Sequence, residues 1–305
     1  MSDIDVRPDA VYLTSQAVGN AWSWLVMREA VLHDVRRFGE FQSRLDLARS
    51  TLSARLSQLE EGGLLTRGPE HASSAEEYRL TAAGADFFDC LMVAMAWADR
   101  WYFADTTPPL RVTHRGCGGP ASPEYRCGAC QKVVVAQDVT AQHAERRLGV
   151  TRLPGQYHRA PDYRLLERNR PCSIARSLTV IGDWWSSMVV REAFFGVRRF
   201  DEFRSNLDVS TNILANRLAH LVEQGILTKV PYQKRPIRHE YRLTKKGLDY
   251  YTIPLAAITW GDRWKNPGEP LVPLRHTPCG ESLRPVLSCG TCAAPLSRAE
   301  VEVAR

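Results

Sequence analysis

The sequence predicts an α+β fold, mainly α, built from two winged helix-turn-helix domains, each followed by a small ribbon that can hold a metal ion. Three observations predict it: a helix-turn-helix and wing pattern between Arg198 and Thr244, an internal repeat of domain size, and two matched groups of cysteine and histidine. The first helix of the pattern carries Phe200, Phe203 and Leu207 on one face. Asp208 and Val209 break the spacing, Ser210 or Thr211 can cap a second helix, and Ile213, Leu214, Leu218, Leu221 and Val222 restart it. Gly225 ends that helix where a left-handed residue costs least. Ile226 to Thr228 and Tyr241 to Thr244 alternate as strands do, around a hairpin that holds Lys234, Arg235, Arg238 and His239.

The chain has 305 residues, enough for two domains with cores of their own. A hydrophobic content of 44% and a charged content of 24% are those of a soluble globular protein. The net charge of +6 permits an anionic partner without demanding one, because basic residues matter only where they cluster. No apolar run is long enough for a transmembrane helix, and the start MSDIDVRPDAVYLTSQ has neither a basic head nor an apolar stretch. A cytoplasmic protein without a membrane partner is therefore expected.

The repeat is read from matched residues. Gly19 recurs as Gly182, Arg28-Glu29-Ala30 as Arg191-Glu192-Ala193, and Arg36-Arg37-Phe38 as Arg198-Arg199-Phe200. Tyr78-Arg79-Leu80-Thr81 recurs as Tyr241-Arg242-Leu243-Thr244, and Trp97 and Trp101 as Trp260 and Trp264. The offsets are 182 − 19 = 163 and 200 − 38 = 162, so this is a tandem duplication and not a solenoid. Its expected divisions are a first winged domain at 1–110, a ribbon at 111–140, a linker at 141–168, a second winged domain at 169–268 and a second ribbon at 269–305. Each copy should contain a first helix (about Trp22 to Leu32; Trp185 to Phe195) and a long last one (about Ala82 to Trp101; Lys245 to Trp264). In copy one that last helix is apolar on several sides, which predicts burial between two bodies. The tryptophans at 97, 101, 260 and 264 read as core or interface anchors. Those at 22, 24, 184 and 185 can be packed core or can line a pocket for a small aromatic effector. The linker carries Arg146, Arg147, Arg152, Arg159, Arg164 and Arg168, as a basic strap along DNA or as a solvated connector.

Six of the eight cysteines fall into two groups of one spacing, His114-x2-Cys117-x9-Cys127-x2-Cys130 and His276-x2-Cys279-x9-Cys289-x2-Cys292. A Cys-x-x-Cys knuckle turns two thiolates toward one ion, and the upstream pair can complete a tetrahedron. Mixed cysteine and histidine ligation favours zinc, two ions per chain, in structural sites with no open position for substrate or water. An odd number of cysteines per group speaks against disulfides. Of the remaining two, Cys90 reads as a buried small hydrophobe, and Cys172, the more exposed in expectation, is a candidate redox sensor.

Cys172-Ser173-Ile174-Ala175, Ile181-Gly182-Asp183-Trp184-Trp185, Arg198 to Phe203, Gly225-Ile226-Leu227, Glu240 to Thr244 and Trp260-Gly261 together resemble the HxlR family of bacterial winged helix-turn-helix transcriptional regulators. The resemblance covers 172–265 well and 15–101 more loosely. It implies operator DNA bound by a two-fold dimer with the long terminal helices at its interface. It also implies, for some members, sensing through an N-terminal cysteine, a place that Cys172 occupies in copy two and Thr14-Ser15-Gln16-Ala17 in copy one. The doubled chain and its ribbons depart from the family pattern.

The expected function is sequence-specific binding of double-stranded DNA by an intrachain pseudo-dimer, itself able to form a homodimer, with a small-molecule effector as a further partner and no enzyme activity. Phosphate contacts are expected from Arg36, Arg37, Arg198, Arg199, Lys234, Arg235 and Arg238. Base-edge contacts are expected from Arg49, Ser50, Thr51 and Arg55 in copy one, and from Ser210, Thr211, Asn212, Asn216 and Arg217 in copy two. The wings differ in charge: between Arg67 and Glu77 one base faces three acids (1 − 3 = −2), and between Lys229 and Glu240 four bases face one acid (4 − 1 = +3). The alternative is a ligand-sensing or protein-interaction module in which only copy two binds DNA and copy one is a dimerisation or effector platform.

Overall fold

The computed structural model describes residues 10–69, 76–141, 161–168 and 171–303. Copy one opens with α1 (Ala10–Val18) and α2 (Ala21–His33), the latter started by Asn20, whose side chain accepts from the N–H groups of Trp22 and Ser23. The helix-turn-helix is α3 (Phe38–Leu45) and α4 (Arg49–Glu61), and the wing is β1 (Leu65–Pro69) paired antiparallel with β2 (Glu76–Leu80). Then come α5 (Ala82–Asp86) and α6 (Phe88–Tyr102), and the ribbon strands β3 (Val112–His114), β4 (Pro123–Cys127) and β5 (Val139–Ala141). A short α7 (Tyr163–Leu166) precedes copy two. That copy repeats the order: α8 (Ser173–Ile181), α9 (Trp184–Phe194), α10 (Phe200–Leu207), α11 (Thr211–Glu223), β6 (Leu227–Lys234), β7 (Ile237–Leu243), α12 (Lys245–Asp249) and α13 (Thr252–Trp264). Its ribbon holds β8 (Leu274–His276), β9 (Glu281–Ser282), β10 (Pro285–Cys289) and β11 (Val301–Val303).

The two winged domains follow the sequence closely. Asp46 and Asp208 turn the chain between the motif helices at φ 50 and 44, a left-handed geometry that aspartate tolerates. Phe41 and Phe203 are wholly buried beneath it. The long last helices, however, are not continuous. In copy two Pro254 stands in the first turn of α13, where its ring would clash with the carbonyl of Tyr250 in an unbroken helix, so the chain restarts at Thr252. Copy one breaks at Phe87, at the same place, without a proline.

The breaks place Asp86 and Asp249 at the interface between copies. Asp249 accepts from Trp101 Nε1 (2.8 Å) and Arg100 (2.9 Å), and Asp86 accepts from Trp264 Nε1 (2.7 Å) and Arg263 (2.9 Å). Trp97 Nε1 donates to the Lys246 carbonyl (3.2 Å) and Trp260 Nε1 to the Ala83 carbonyl (2.8 Å). The same contacts thus occur twice, related by a pseudo-two-fold axis between α6 and α13. The four tryptophans are anchors of this interface, as their helical spacing implied. Two short helices that the hydrophobic pattern did not reveal complete it: α1 packs on α13 and α8 on α6, each reaching into the other copy. Thr14 Oγ1 donates to Ala257 O (2.6 Å), and a Cβ on Gly261 would come within 2.4 Å of Ala10 O, so the crossing requires glycine there.

The ribbons cross as well, and here the expectation of two self-contained appendages is corrected. β3 pairs with β11, β4 with β10 and β5 with β8, all antiparallel. Within the second ribbon β8 also pairs with the two-residue β9, but strands this short cannot bury a face alone, so each ribbon completes the other. Tyr251, just before α13, donates its hydroxyl to Val134 O of the first ribbon, and Arg298 of the second ribbon donates to Val31 O of α2 (2.8 Å). Among the described residues no helix is long and apolar enough to cross a membrane. Of the linker arginines, 146, 147, 152 and 159 lie outside the described residues; Arg168 pairs with Asp46 (3.1 Å) and Arg164 is exposed.

Asp89, near the start of α6, gives this interior a pH dependence. Burial raises its carboxyl, neighbouring Asp86 raises it further, and Arg263 only partly offsets them, leaving it at about 7. A carboxyl raised in the folded state contributes stability when protonated, and that contribution is lost as pH rises from its ordinary range through 7. Asp89→Asn is therefore expected to stabilise the chain by on the order of 3 kcal/mol at about pH 8 and to do little at about pH 4. Thermal unfolding across that range checks it; an equal shift in Tm at both ends would contradict the assignment.

Candidate nucleic-acid interface and metal centres

The outer face of α11 is set by its buried stripe. Leu214, Leu218 and Leu221 turn inward at 1% exposure or less, and Thr211, Asn212 and Asn216 are exposed. Ser210 is exposed and also caps the helix, its Oγ accepting from Ile213 N (3.4 Å). Arg217 behaves differently from the expectation of a base contact. Its guanidinium donates to Asp183 (2.8 Å), the residue that caps α9, and only 15% of its side chain is exposed. The signal was present in the sequence: Arg217 lies three residues after Leu214 and four before Leu221, on the inward stripe itself. Copy one has Asn20 in place of Asp183, so Arg55 bonds Gln58 instead (2.9 Å) and its Nε is buried without a partner among the described residues. Arg49 lies 5.6 Å over the Phe38 ring, Ser50 is exposed and Thr51 half-buried.

The flanking cations separate the copies sharply. In copy one Arg36 pairs with Asp34 (3.1 Å), Arg37 approaches Glu77 (3.8 Å) and Arg67 pairs with Glu60 (2.9 Å). In copy two Arg199 lies over Tyr232 (4.8 Å), and Arg198, Lys234, Arg235 and Arg238 are exposed and form no ion pair among the described residues. The second wing is fully described and extends as a two-stranded arm. The tip of the first, with Glu70, lies outside the described residues.

The eight expected metal ligands converge, but across the copies. His114 and Cys117 meet Cys289 and Cys292, and Cys127 and Cys130 meet His276 and Cys279. Each half is one tight turn: Gly118 N bonds His114 O (2.8 Å), Gln131 N bonds Cys127 O (2.8 Å), and the second ribbon repeats both. Gly118 and Gly280 supply the left-handed residue after the His-x-x-Cys halves, at φ 68 and 75. All eight residues of the sequence groups are thus used, with the partners exchanged. Identical spacing in both ribbons left that exchange invisible, since either half can close a tetrahedron with either knuckle.

The distances fit a tetrahedral ion. Zinc bonds of about 2.3 Å to sulfur and 2.0–2.1 Å to nitrogen give edges of roughly 3.5 Å for S···N and 3.8 Å for S···S. His114 Nδ1 lies 3.4 Å from the sulfurs of Cys117 and Cys292. His276 Nδ1 lies 3.4 Å from Cys130 and 3.3 Å from Cys279, and Cys127 is 3.9 Å from Cys279. Burial raises the Cys289 thiol, but backbone hydrogen bonds from Cys292, Thr291 and Ser122 outweigh it and bring it down to about 6. Backbone N–H groups of the knuckle and of Ser122 in the opposite ribbon thus favour the thiolate at Cys289, while its neighbour Cys292 is pushed the other way. Cys90 is buried as expected. Cys172 is 2% exposed and faces Arg28 across the interface, so the exposure on which a redox-sensing role was to rest is absent.

The family model for HxlR-like helix-turn-helix proteins matches residues 17–106 and again 180–269. The chain belongs to the HxlR-like helix-turn-helix family. Rv3095 of Mycobacterium tuberculosis, described as an uncharacterized HTH-type transcriptional regulator, is 41% identical over 130 residues, spanning 42% of this chain and 82% of that protein. YdeP of Bacillus subtilis, described in the same words, is 27% identical over 96 residues, 31% of this chain and 75% of its own length. The crystal structure of PA1607 is 37% identical, covering 46% of this chain and 98% of that one, with a TM-score of 0.39. Rv3095 and YdeP match less than half of this chain but most of themselves, as expected where a single module occurs twice. A family of transcription regulators is not one of enzymes, in line with the sequence reading.

Paired substitutions test the exchanged ligands. Cys117→Ser with Cys289→Ser is expected to remove one metal ion per chain, because both fall in one crossed group; Cys117→Ser with Cys127→Ser should remove both. Metal content after loading with zinc distinguishes the two, and the reverse pattern would mean that each ribbon binds metal by itself.

Proposed function

We propose that this HxlR-like chain is a sequence-specific, DNA-binding transcription regulator in which the two copies act as an intrachain pseudo-dimer. The observation that carries it is the second copy's surface: an exposed polar helix face beside an extended wing whose cations are left uncompensated. Unpaired, solvated cations neutralise phosphates without first breaking an internal ion pair. Asn212 and Asn216 then read base edges in the major groove from α11, with Thr211 beside them, while Arg198, Arg199, Lys234, Arg235 and Arg238 hold the backbone. Arg217 positions α11 against Asp183 and is not itself a reader. The α6–α13 contacts fix the separation of α4 and α11, so a roughly palindromic site with half-sites about one helical turn apart suits the pair.

Zinc suits the two crossed groups, each with three cysteines and one histidine at tetrahedral spacing. With four protein ligands no position is left for water, so the ions serve as structural staples between copies. The second reading, in which copy two alone binds DNA, draws support from the internal ion pairs of Arg36, Arg37 and Arg67. A homodimer of such chains would present four winged domains.

Arg235→Glu with Arg238→Glu is expected to weaken binding to every sequence and to reduce the slope of log affinity against log salt by about two. Asn216→Ala should instead change the preferred bases by about 1–3 kcal/mol at one position. Fluorescence anisotropy on a selected operator checks both, and an unchanged salt slope would overturn the wing assignment. Arg36→Ala with Arg37→Ala divides the two readings: lost affinity places copy one on DNA, and unaltered affinity leaves copy two as the sole reader.

A further inference from the structure

Two chambers flank the loop of the first ribbon. One, of about 340 Å3, lies between that loop and the second winged domain, at the end of α9, β7 and α12, lined by Ala136, Gln137, Phe194, Val197, Arg198 and Leu248 among others. The other, of about 550 Å3, opens beside Trp97, Trp101 and Tyr251 and shares Ala136, Gln137 and Leu248 with the first. The pseudo-two-fold axis shows what is special about the smaller chamber. At the matching place in the second ribbon stands Arg298 (298 − 136 = 162), each residue opening the short turn before the ribbon's last strand. Arg298 crosses to copy one, donating to Val31 O (2.8 Å) and Asp34 (3.2 Å). The matching residues of copy two are Phe194 (194 − 31 = 163) and Gly196 (196 − 34 = 162). Asp34 and Gly196 even share the left-handed backbone, at φ 55 and 87. Both ends of the arginine brace are therefore absent on this side: alanine stands for the cation and glycine for the carboxylate.

What replaces the brace is a hydrocarbon-lined space with one uncompensated cation at its edge. Phe194, Val197, Leu243 and Leu248 supply the apolar wall. Arg242, also on the lining, is already bound to Glu240, whereas the Arg198 guanidinium forms no ion pair among the described residues. We propose that the 340 Å3 chamber binds a small aromatic carboxylate, its ring against Phe194 and Leu248 and its carboxylate on Arg198. The volume is in the range of small-molecule sites, and a guanidinium at the rim of an apolar pocket selects an anionic headgroup. The site adjoins the DNA-reading surface: Arg198 leads into α10, its carbonyl accepts from Tyr241 N of the wing (2.8 Å), and its N–H donates to Glu202 (3.2 Å). A carboxylate that engages Arg198 withdraws it from phosphate and weakens operator binding. That consequence rests on the DNA-binding reading above, whereas occupancy of the chamber does not.

Calorimetric titration of the full, zinc-loaded chain with 2-naphthoate tests occupancy without DNA. One saturable site per chain is expected at micromolar to millimolar concentration, with the neutral 2-naphthalenemethanol at least about tenfold weaker. Ala136→Arg with Gly196→Asp rebuilds the brace seen in the other half; a Cβ on Gly196 meets nothing within 4 Å, and aspartate has to carry the strain of the left-handed backbone there as Asp34 does in copy one. Operator affinity should fall in this variant even without naphthoate, because the carboxylate added at Gly196 pairs with Arg198 as Asp34 pairs with Arg36, and naphthoate affinity should drop by more than about tenfold. Ala136→Leu, which fills the chamber without charge, should lose it too, and serves if the double variant does not fold. Absence of saturable binding, binding unaltered in both variants, or equal binding of the alcohol would overturn the proposal. Naphthoate that binds the wild-type chain and the operator complex alike would overturn only the link to DNA.

Discussion

Neither long helix can be buried by its own copy, and the rest of the architecture answers that constraint. On α6 the residues from Leu91 to Met95 are consecutive and all buried, which no single packing face can achieve. A second body must cover the far side, and α13 and α8 provide it, as α1 does in turn for α13. Trp97, Trp101, Trp260 and Trp264 then need partners for their indole N–H groups in a partly dry interface. The short helices before the breaks supply them: Asp86 and Asp249 stand at their ends, and the Ala83 and Lys246 carbonyls accept from an indole as well as from the backbone. The ribbons leave from the ends of these same helices and pair with each other, so two separate turns of chain come to face one another around each ligand group. The spacing between α4 and α11 is in this way fixed by core packing, and the crossed ligand groups can lock it.

Much of this was legible in the sequence because it depends on local pattern. The motif helices, the cap at Ser210, the wing strands and the turn at Gly225 follow from periodicity and from residues whose backbone preferences are strong. The ligand residues were legible for the same reason: the knuckle spacing is a local requirement of one turn. What the sequence concealed depends on long-range partners. Identical ribbons satisfy either pairing of half-sites, and only the packing of α6 on α13 brings the halves of opposite ribbons together. α1 and α8 are short and cross into the other copy, so the surface that buries their apolar residues lies far away in the sequence. Arg217 illustrates the intermediate case. Its type pointed to DNA while its position pointed inward, and the aspartate that holds it comes from the cap of a different helix, more than thirty residues away.

A duplicated chain can do something that a dimer of identical chains cannot. In a homodimer every change to a wing or a brace is made twice, and the two halves of the complex stay equivalent. Here the shared frame is kept, residue for residue, at the tryptophans, the interface aspartates and the metal ligands, because each is needed by both copies. The positions that differ lie outside that frame: Asp34 against Gly196, Arg298 against Ala136, Asn20 against Asp183, and an acidic wing against a basic one. The differences also point one way. Copy one closes its cations into internal pairs and is braced by Arg298 from the second ribbon, while copy two leaves Arg198, Lys234, Arg235 and Arg238 without an ion pair among the described residues and its boundary with the first ribbon open. A symmetric frame that carries one self-neutralised half and one exposed, cavity-bearing half places the uncompensated cations and the chamber at the same end of the molecule.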